Sequence, residues 1–460
     1  MKRYTLLYIV ALWMYGSAAL AQTLTVDSCR TLALQSNKTK QQARLKSKQA
    51  ELTRKSTRAL FFPDFSLTGG VLYDNGEGHT TIDFRSLMTP VVSQLAPILQ
   101  QMGVPLTQLS QINLPQYDLK YKLGWMYSGN LMLKQPIYMG GKIRAAYEMS
   151  QVGVEMARQN ERLTDARIIA ETDEAYAMLV KSEELVEVAS SYLRLLEQLD
   201  KNVESAVRHG MRMDNDRMKV QVKMNEASLQ LLRARNGVTL ARMNLCRIIG
   251  RPLSGDLTIS HEYPVVEDVA SARIADVSNR PELALLDGQV ALARGEAKIA
   301  RSAMLPQVAL LAKYGYTQGL ELNNRTLLDG WNFAGGVTVN VPLYHFGERQ
   351  NKLKAARLKQ QEARLQRDEK MELMLLELAQ AGTHVDEAAA EVALAQRALE
   401  QAERNMTLSK QQYEAGFETL SDYLEAQALW QQAYERKTDA HFRQYLSGVA
   451  YLKAAGALVP

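Results

Sequence analysis

The stretch NLMLKQPIYMGGKIRAAYEMS, residues 130–150, joins two periodicities in one short run. Apolar and polar residues alternate as far as a proline, two glycines follow, and the polar sequence beyond them favours a helix. The same joint returns in NFAGGVTVNVPLYHFGERQNKLKAARLKQ, residues 332–360. The matching joint residues lie 206 positions apart: Pro136 and Pro342, Gly141 and Gly347. Such a fixed offset indicates an internal duplication, in which a strand twice gives way to a long helix.

The composition and the N-terminus indicate a folded, exported protein. The 460 residues are 46% hydrophobic and 23% charged, which does not fit a disordered chain. Residues 1–21 have a basic start, an apolar run and a small-residue end, so a signal peptide cleaved after Ala21 is predicted. Its loss removes Lys2 and Arg3 and lowers the net charge from +5 to +3, which predicts no nucleic-acid partner. No later stretch has ~18 consecutive apolar residues, so no membrane-spanning helix is predicted.

Four segments alternate with period two and are predicted to be strands: 65–73, 119–134, 308–316 and 331–341. They form two predicted hairpins, 65–134 and 308–341. In the last strand, Trp331, Phe333 and Val337 lie on one face, and Asn332 and Thr338 lie on the other. A soluble β-sandwich would also alternate in this way, but aromatic residues near the strand ends favour an outer-membrane sheet.

The segments between the strands have the heptad pattern of a coiled coil. In the second repeat, apolar or small residues recur in steps of four and three: Ala388, Val392, Ala395, Leu399, Ala402, Met406, Ser409 and Tyr413. The same seam lies 206 positions earlier, with one polar break at Asp200. Long helices are predicted at 141–209 and 347–415, and tight turns at Gly210 and Gly416 reverse the chain. The predicted helical hairpins are therefore 141–249 and 347–455.

The helix lengths suggest how each repeat is completed. Each long helix has 69 residues, or roughly 100 Å at about 1.5 Å per residue, whereas each returning helix has 39. Shorter helices at 27–60 and 281–305 supply the missing length if they stack end to end with the returning ones. The first repeat is placed at 22–277 and the second at 278–460, with an outward-bulging equatorial segment at 250–277. Four strands are too few to close a barrel, so the chain is predicted to share one with copies of itself.

At this point the sequence resembles the TolC-like outer-membrane efflux channel family over essentially the whole mature chain. The resemblance is carried by the duplicated joint and by five motifs: LFFPDF at 60–65, LCRIIGRPL at 245–253, NRPEL at 279–283, AMLPQV at 303–308 and YEAGFETLSDYLEAQ at 413–427. It implies a mixed α+β membrane protein. In this fold a long α-helical coiled-coil barrel continues into a trimeric β-barrel, to which each chain gives four strands.

The resemblance also implies function, location and partners. Family members form homotrimers in the lipid of the outer membrane of Gram-negative bacteria, with a large periplasmic portion. They pair with a periplasmic adaptor, or membrane fusion protein, and an inner-membrane pump of the RND or ABC type to expel drugs and toxic compounds. Two alternatives within transport remain open: a type I protein-secretion conduit and a soft-metal efflux conduit. A non-conducting coiled-coil envelope protein is the alternative from another class.

The sequence contains no catalytic arrangement and predicts no cofactor. The six histidines are scattered, and YMGGK at 138–142 lacks the residues of a phosphate-binding loop. The fragment HGMRMDNDRMKVQVKM, 209–224, brings four soft donors near the first helix tip: His209, Met211, Met213 and Met218. Thioethers and imidazole suit Cu(I) or Ag(I), but methionine also packs irregular helix ends, and packing is the favoured interpretation. No metal site is therefore assigned.

Six charged residues near the two helix tips are candidates for a gate: Arg212, Asp216, Lys219, Glu418, Asp422 and Glu425. In the family, acidic residues matching Asp422 and its neighbours ring the closed periplasmic entrance. When the two repeats are aligned at the offset of 206, two equivalent positions carry opposite charges: Arg212 aligns with Glu418, and Lys219 aligns with Glu425. These pairs are predicted to hold the entrance closed. Gly210 and Gly416 mark the turns where an adaptor would make contact.

The sequence leaves the state of the two cysteines and the role of one uncharged segment undecided. Cys29 and Cys246 lie at helix ends and form either a disulfide or two separate buried thiols. The uncharged segment 86–117 lengthens the first strand hairpin and is predicted to cover the outer mouth or rest on its rim.

Overall fold

The computed structural model describes residues 23–83, 86, 88–91, 93, 96, 116–255, 257–260, 263, 277–319, 321–323, 325–326 and 329–458. The predicted signal peptide, most of segment 86–117 and most of segment 250–277 lie outside the described residues. The chain forms two compact units. The first comprises Met1–Arg54, Met149–Arg294 and Arg357–Pro460, and the second Lys55–Glu148 and Gly295–Ala356.

Seven α-helices of the described chain carry the numbering used below. They are α1 (Val26–Ser36), α2 (Lys38–Ala59), α3 (Lys142–Arg208), α4 (Asp214–Ile249), α5 (Pro281–Ser302), α6 (Glu348–Glu414) and α7 (Leu420–Ala454). The expected single helix 27–60 is therefore wrong, because it is broken at Asn37. Asn37 has an extended backbone conformation, and its side chain accepts a hydrogen bond from the Thr39 amide (2.8 Å) and donates one to the Ile248 carbonyl (3.3 Å).

The first unit is a set of helices around several apolar clusters. The largest joins α1, α3 and α4 through buried residues that include Val26, Cys29, Tyr176, Leu179, Leu245 and Ile248. In α6 every residue of the heptad seam is buried or half-buried, with Ala388, Leu399 and Ser409 the most enclosed. Residues 257–260, part of the predicted outward bulge, include Thr258, whose carbonyl accepts a hydrogen bond from the Leu24 amide at 2.9 Å.

The second unit is built on an antiparallel sheet. Its strands are β1 (Asp64–Asp83), β2 (Gln116–Met139), β3 (Gln307–Gln318), β4 (Glu321–Leu322), β5 (Arg325–Thr326) and β6 (Asp329–Asn340). The four long strands lie in the order β1, β2, β3, β6. Within the described residues β1 pairs only with β2, and β6 only with β3. Both outer strands therefore present an unpaired backbone edge.

The strand register places apolar side chains together on one face of this sheet. Val71 lies opposite Tyr127, and Tyr314 lies between Leu131 and Phe333. This face is exposed in the single chain: Leu67 is 79% exposed, Phe333 72% and Trp331 68%. Aromatic rings lie close together on neighbouring strands. The ring centroids of Tyr73 (β1) and Trp125 (β2) are 4.9 Å apart, and those of Tyr314 (β3) and Trp331 (β6) are 5.2 Å apart. So large an apolar surface requires a non-aqueous neighbour.

The strand-to-helix joints use left-handed backbone conformations. Gly141 and Gly347 have φ of 83° and 82° and directly precede α3 and α6. The expected strand end at residue 134 is wrong, because β2 continues to Met139 past a register shift that follows Pro136. Pairing with β1 has already ended at Lys134, so a residue without an N–H is tolerated there.

Within the described residues, none of the helices combines enough length with enough apolar character to cross a membrane.

Candidate functional site

Two helical tips, the first at 209–213 and the second at 415–419, reverse the chain by the same motif. Gly210 has φ of 71°, and its amide donates to the Val207 carbonyl at 2.9 Å. The Met211 amide reaches the Ala206 carbonyl, also at 2.9 Å. The second tip repeats this pattern around Gly416, whose φ is 81°. Glycine is needed at both positions because side chains rarely adopt this conformation at a helix end.

The two tips differ in how the returning helix starts. Thr419 caps α7: its hydroxyl accepts from the Asp422 amide at 3.3 Å, and the Asp422 carboxylate accepts from the Thr419 amide at 3.3 Å. This reciprocal capping box engages a carboxylate that was expected to serve the gate. Met213 stands at the equivalent position before α4 and makes no side-chain capping bond.

The charged tip residues do not pair within the chain as the sequence suggested. The Arg212 guanidinium lies over the Tyr413 ring, 4.9 Å from its centroid. Lys219 Nζ lies 3.5 Å from Asp216 Oδ1, one turn away on the same helix. Among the described ion pairs, neither Arg212–Glu418 nor Lys219–Glu425 is formed inside one chain. The carboxylate atom Glu418 Oε2 is buried without a hydrogen-bond partner in the described chain.

Aromatic and aliphatic packing holds the tips together, and Arg217 of α4 adds ion pairs to Asp200 (3.5 Å) and Glu204 (3.1 Å) of α3. The rings of Tyr413 and Tyr423 stack with centroids 5.4 Å apart. Buried residues of α3, α4 and α7 surround them and form one cluster, with Leu196, Val203, Val220, Leu420 and Leu424 among its members. Burial raises the pKa of the Tyr423 hydroxyl, and the nearby Gln427 side chain opposes the rise. Both tips therefore belong to one packed body.

A cavity of about 530 Å³ opens between the start of α4 and the start of α7. Its apolar lining comes from Met218, Val222, Leu424 and Ala428, and Lys219, Lys223 and Glu425 are among its polar residues. Lys219 and Glu425 thus share one cavity without forming an ion pair. An amphipathic surface of this kind suits a protein partner.

A buried ion pair that the sequence did not reveal joins α1 to α3. Arg30 donates from Nε to Asp173 Oδ1 and from Nη2 to Asp173 Oδ2, both at 2.7 Å. The Asp173 side chain is completely buried. The sequence did contain one indication of this ion pair: Asp173 lies inside an apolar helical run, between Ile169 and Tyr176. An unpaired charge is not stable in such surroundings, so a cationic partner is required.

Of the two alternatives for Cys29 and Cys246, the disulfide is not present in the structure. Cys29 and Cys246 are free and buried in the same apolar cluster. The Cys246 thiol donates to the Gly255 carbonyl at 3.9 Å. Burial raises the pKa of the Cys29 thiol to about 11, which holds it in the unreactive protonated form. The alternative of two separate buried thiols describes this structure.

The comparisons with known proteins agree with this architecture. The sequence model of the outer membrane efflux protein family matches residues 30–251 and 277–457. Alkaline protease secretion protein AprF of Pseudomonas aeruginosa is 24% identical over 71% of this chain and 69% of its own length. Pyoverdine export outer membrane protein OpmQ of Pseudomonas putida is 23% identical over 72% of this chain and 70% of its own.

Solved structures show the same fold. The outer membrane protein VceC of Vibrio cholerae superposes with a TM-score of 0.71 at 18% identity, over 94% of this chain and 96% of VceC. The matched family and its solved members are channels rather than enzymes. The resemblance seen in the sequence is therefore confirmed, and the protein is one of the outer membrane. This chain belongs to the outer membrane efflux protein family.

Proposed function

We propose that the protein is the outer-membrane channel of a tripartite efflux system in a Gram-negative bacterium. In this role it conducts drugs and toxic compounds passively from an inner-membrane pump and a periplasmic adaptor to the exterior. The observation that carries the proposal is the sheet of the second unit. It has an exposed apolar face for lipid, a polar face for a lumen, and unpaired backbone on β1 and β6.

The unpaired edges favour a homotrimer. Unsatisfied backbone groups are too unstable to remain in lipid, and the β6 edge of one chain can pair with the β1 edge of the next. Four long strands from each chain then close a barrel of about twelve strands, wide enough for a channel. The internal duplication provides two helical hairpins per chain for the periplasmic portion, which encloses the path below the membrane.

A type I protein-secretion conduit is the second candidate. The observation in its favour is the similarity to AprF, which is named for the secretion of an alkaline protease. OpmQ, named for pyoverdine export, favours small-molecule efflux instead. Both candidates use an adaptor and a pump of the RND or ABC type, and they differ in cargo. A non-conducting envelope protein is less favoured, because it has no need of a polar face on membrane strands.

The test of the assembly is extraction of the full protein from outer membranes in mild detergent. We expect a trimer that withstands the detergent and dissociates on heating, because each closed edge adds a ladder of backbone hydrogen bonds. A single-sized monomer that retains its full β content by circular dichroism would contradict the shared barrel and the channel with it.

We further propose that charges at the tips hold the entrance closed between neighbouring chains. The Glu418 side chain is half-buried, and the described part of its own chain gives the enclosed atom Oε2 no hydrogen-bond partner, so a cation from a neighbouring chain would suit it. Arg212 of a neighbouring hairpin has the right charge. Each exposed pair contributes only ~0.2–1 kcal/mol, but repetition around a trimer sums to a few kcal/mol. An adaptor that contacts Gly210 and Gly416 could offset that amount.

Charge reversal tests the gate. We expect Arg212→Glu to raise closed-state conductance and entry of large antibiotics, and the added change Glu418→Arg to restore closure. Lys223→Glu is a matched control, since this lysine lies eleven residues beyond Arg212, on α4, and forms its ion pair with Glu226 at 2.8 Å. If the double reversal leaks as much as the single one, the tip charges are merely solvated.

A further inference from the structure

The first tip carries three soft donor side chains within five residues: His209, Met211 and Met213. If the methionines served to pack a helix end, they would be buried against neighbouring side chains. Instead Met211 is 71% exposed and Met213 is 78% exposed. Within the single chain the packing interpretation favoured by the sequence is therefore wrong for these two residues, because their side chains are exposed.

The His209 ring is held in one tautomer. Its Nδ1 atom lies 2.7 Å from the Ser205 carbonyl oxygen. A carbonyl can only accept, so Nδ1 carries the proton and the neutral ring presents its lone pair at Nε2. Histidines that bind metals commonly donate their other ring N–H to a carbonyl or carboxylate in this way, which orients the ring. Because His209 is exposed, Nε2 is free to bind a ligand from solution.

Met213 occupies the N-cap position of α4, where other residue types stabilise a helix better. At the equivalent position of the second tip, Thr419 caps α7 by a reciprocal pair of hydrogen bonds, whereas Met213 makes no side-chain capping bond for α4. Methionine is a poor N-cap residue. A residue that breaks a local rule without a local gain marks a site with another role. The second tip carries Ala415 and Phe417 at the other two matching positions, so it has none of the three donors.

We propose that His209 Nε2 and the Sδ atoms of Met211 and Met213 bind a soft monovalent cation, Cu(I). Thioethers select Cu(I) over harder metals, and imidazole also suits copper. None of the three donors is an anion, which matches a monovalent ion, whereas calcium and magnesium require oxygen ligands. Met218 is excluded from the set, because it lines the cavity with Leu424 and Glu425.

The site is tested with the full mature protein in detergent, with Ag(I) as a redox-stable probe for equilibrium dialysis. A Cu(I) titration against a coloured chelator under ascorbate repeats the measurement. The main variant combines His209→Ala, Met211→Phe and Met213→Thr, which are the residues of the second tip. We expect wild type to bind one more Ag(I) per chain than this variant. Met218→Leu is the matched control and should bind as wild type does.

A second variant, Met211→Leu with Met213→Leu, keeps the apolar shape of the tip and removes only the sulfur atoms. We expect it to lose the same one Ag(I) per chain. Equal binding by wild type and either tip variant would overturn the site, and loss of binding in Met218→Leu would overturn the assignment of donors. The measurement does not involve conduction, so its failure leaves the proposed channel intact.

Discussion

An arginine in place of Val337 is expected to prevent the protein from accumulating in the outer membrane. Val337 is the ninth of the 12 residues of β6, lies on the apolar sheet face and is 60% exposed in the single chain. If this face meets lipid, an arginine here destabilises the folded protein by up to ~4 kcal/mol in each chain, depending on its depth in the bilayer. Three copies around a trimer multiply that effect. The measurement is the amount of folded, heat-dissociable trimer in isolated outer membranes.

The next residue of the same strand provides the control. Thr338 is exposed on the opposite, polar face of β6, which the proposal assigns to the lumen. Thr338→Arg should therefore assemble nearly as well as wild type, because a charge there stays in water. If both arginine variants assemble equally well, the apolar face does not meet lipid here, and if Thr338→Arg is the more damaging, the faces of the sheet have been assigned the wrong way round.

Loss of the Arg30 side chain is expected to destabilise the helical unit by about 3–5 kcal/mol at neutral pH, the usual effect of breaking a buried ion pair. Arg30→Met leaves the fully buried Asp173 carboxylate without its two hydrogen bonds of 2.7 Å. The measurement is urea unfolding followed by helical circular dichroism. A second variant, Arg30→Met with Asp173→Leu, should recover most of the loss, since it leaves no buried charge.

The pH dependence provides an independent check. Burial raises the pKa of Asp173, and hydrogen bonds from Arg30 oppose the rise. Removal of Arg30 therefore raises this pKa further. A carboxyl whose folded pKa is raised favours folding below its ordinary pKa, and that stability is lost as the pH rises through the folded value. Arg30→Met should come closer to wild type in acid. A deficit that is the same at every pH, or less than ~1 kcal/mol at neutral pH, would contradict the account.

Helix ends were predictable because they depend on the residue types at the turn itself, which are visible in the sequence. The long helices were expected to end at 209 and 415, and they end at Arg208 and Glu414. Gly210 and Gly416, which adopt the left-handed conformation next to these ends, are visible in the sequence. The end of β1 was not predictable in this way. Alternation stops at Tyr73, yet pairing with β2 continues to Asp83 beyond a register shift between Asp74 and Glu77.

The interactions of individual side chains at the candidate site were the hardest to predict, because they join distant parts of the chain. Arg30 and Asp173 are separated by 143 positions, and no periodicity relates them. The offset of 206 aligned Arg212 with Glu418, but inside one chain the guanidinium lies on the face of Tyr413 instead. A repeat offset identifies equivalent residues and does not indicate which of them are in contact.

The most direct measurement of the central claim is the electrical conductance of the purified protein in a planar lipid bilayer. We expect discrete, uniform current steps from the trimer. If the tip charges hold the entrance closed, these steps should be small in wild type and larger in Arg212→Glu. A trimer that inserts into the bilayer and carries no current in either form would contradict a channel and leave only a structural role.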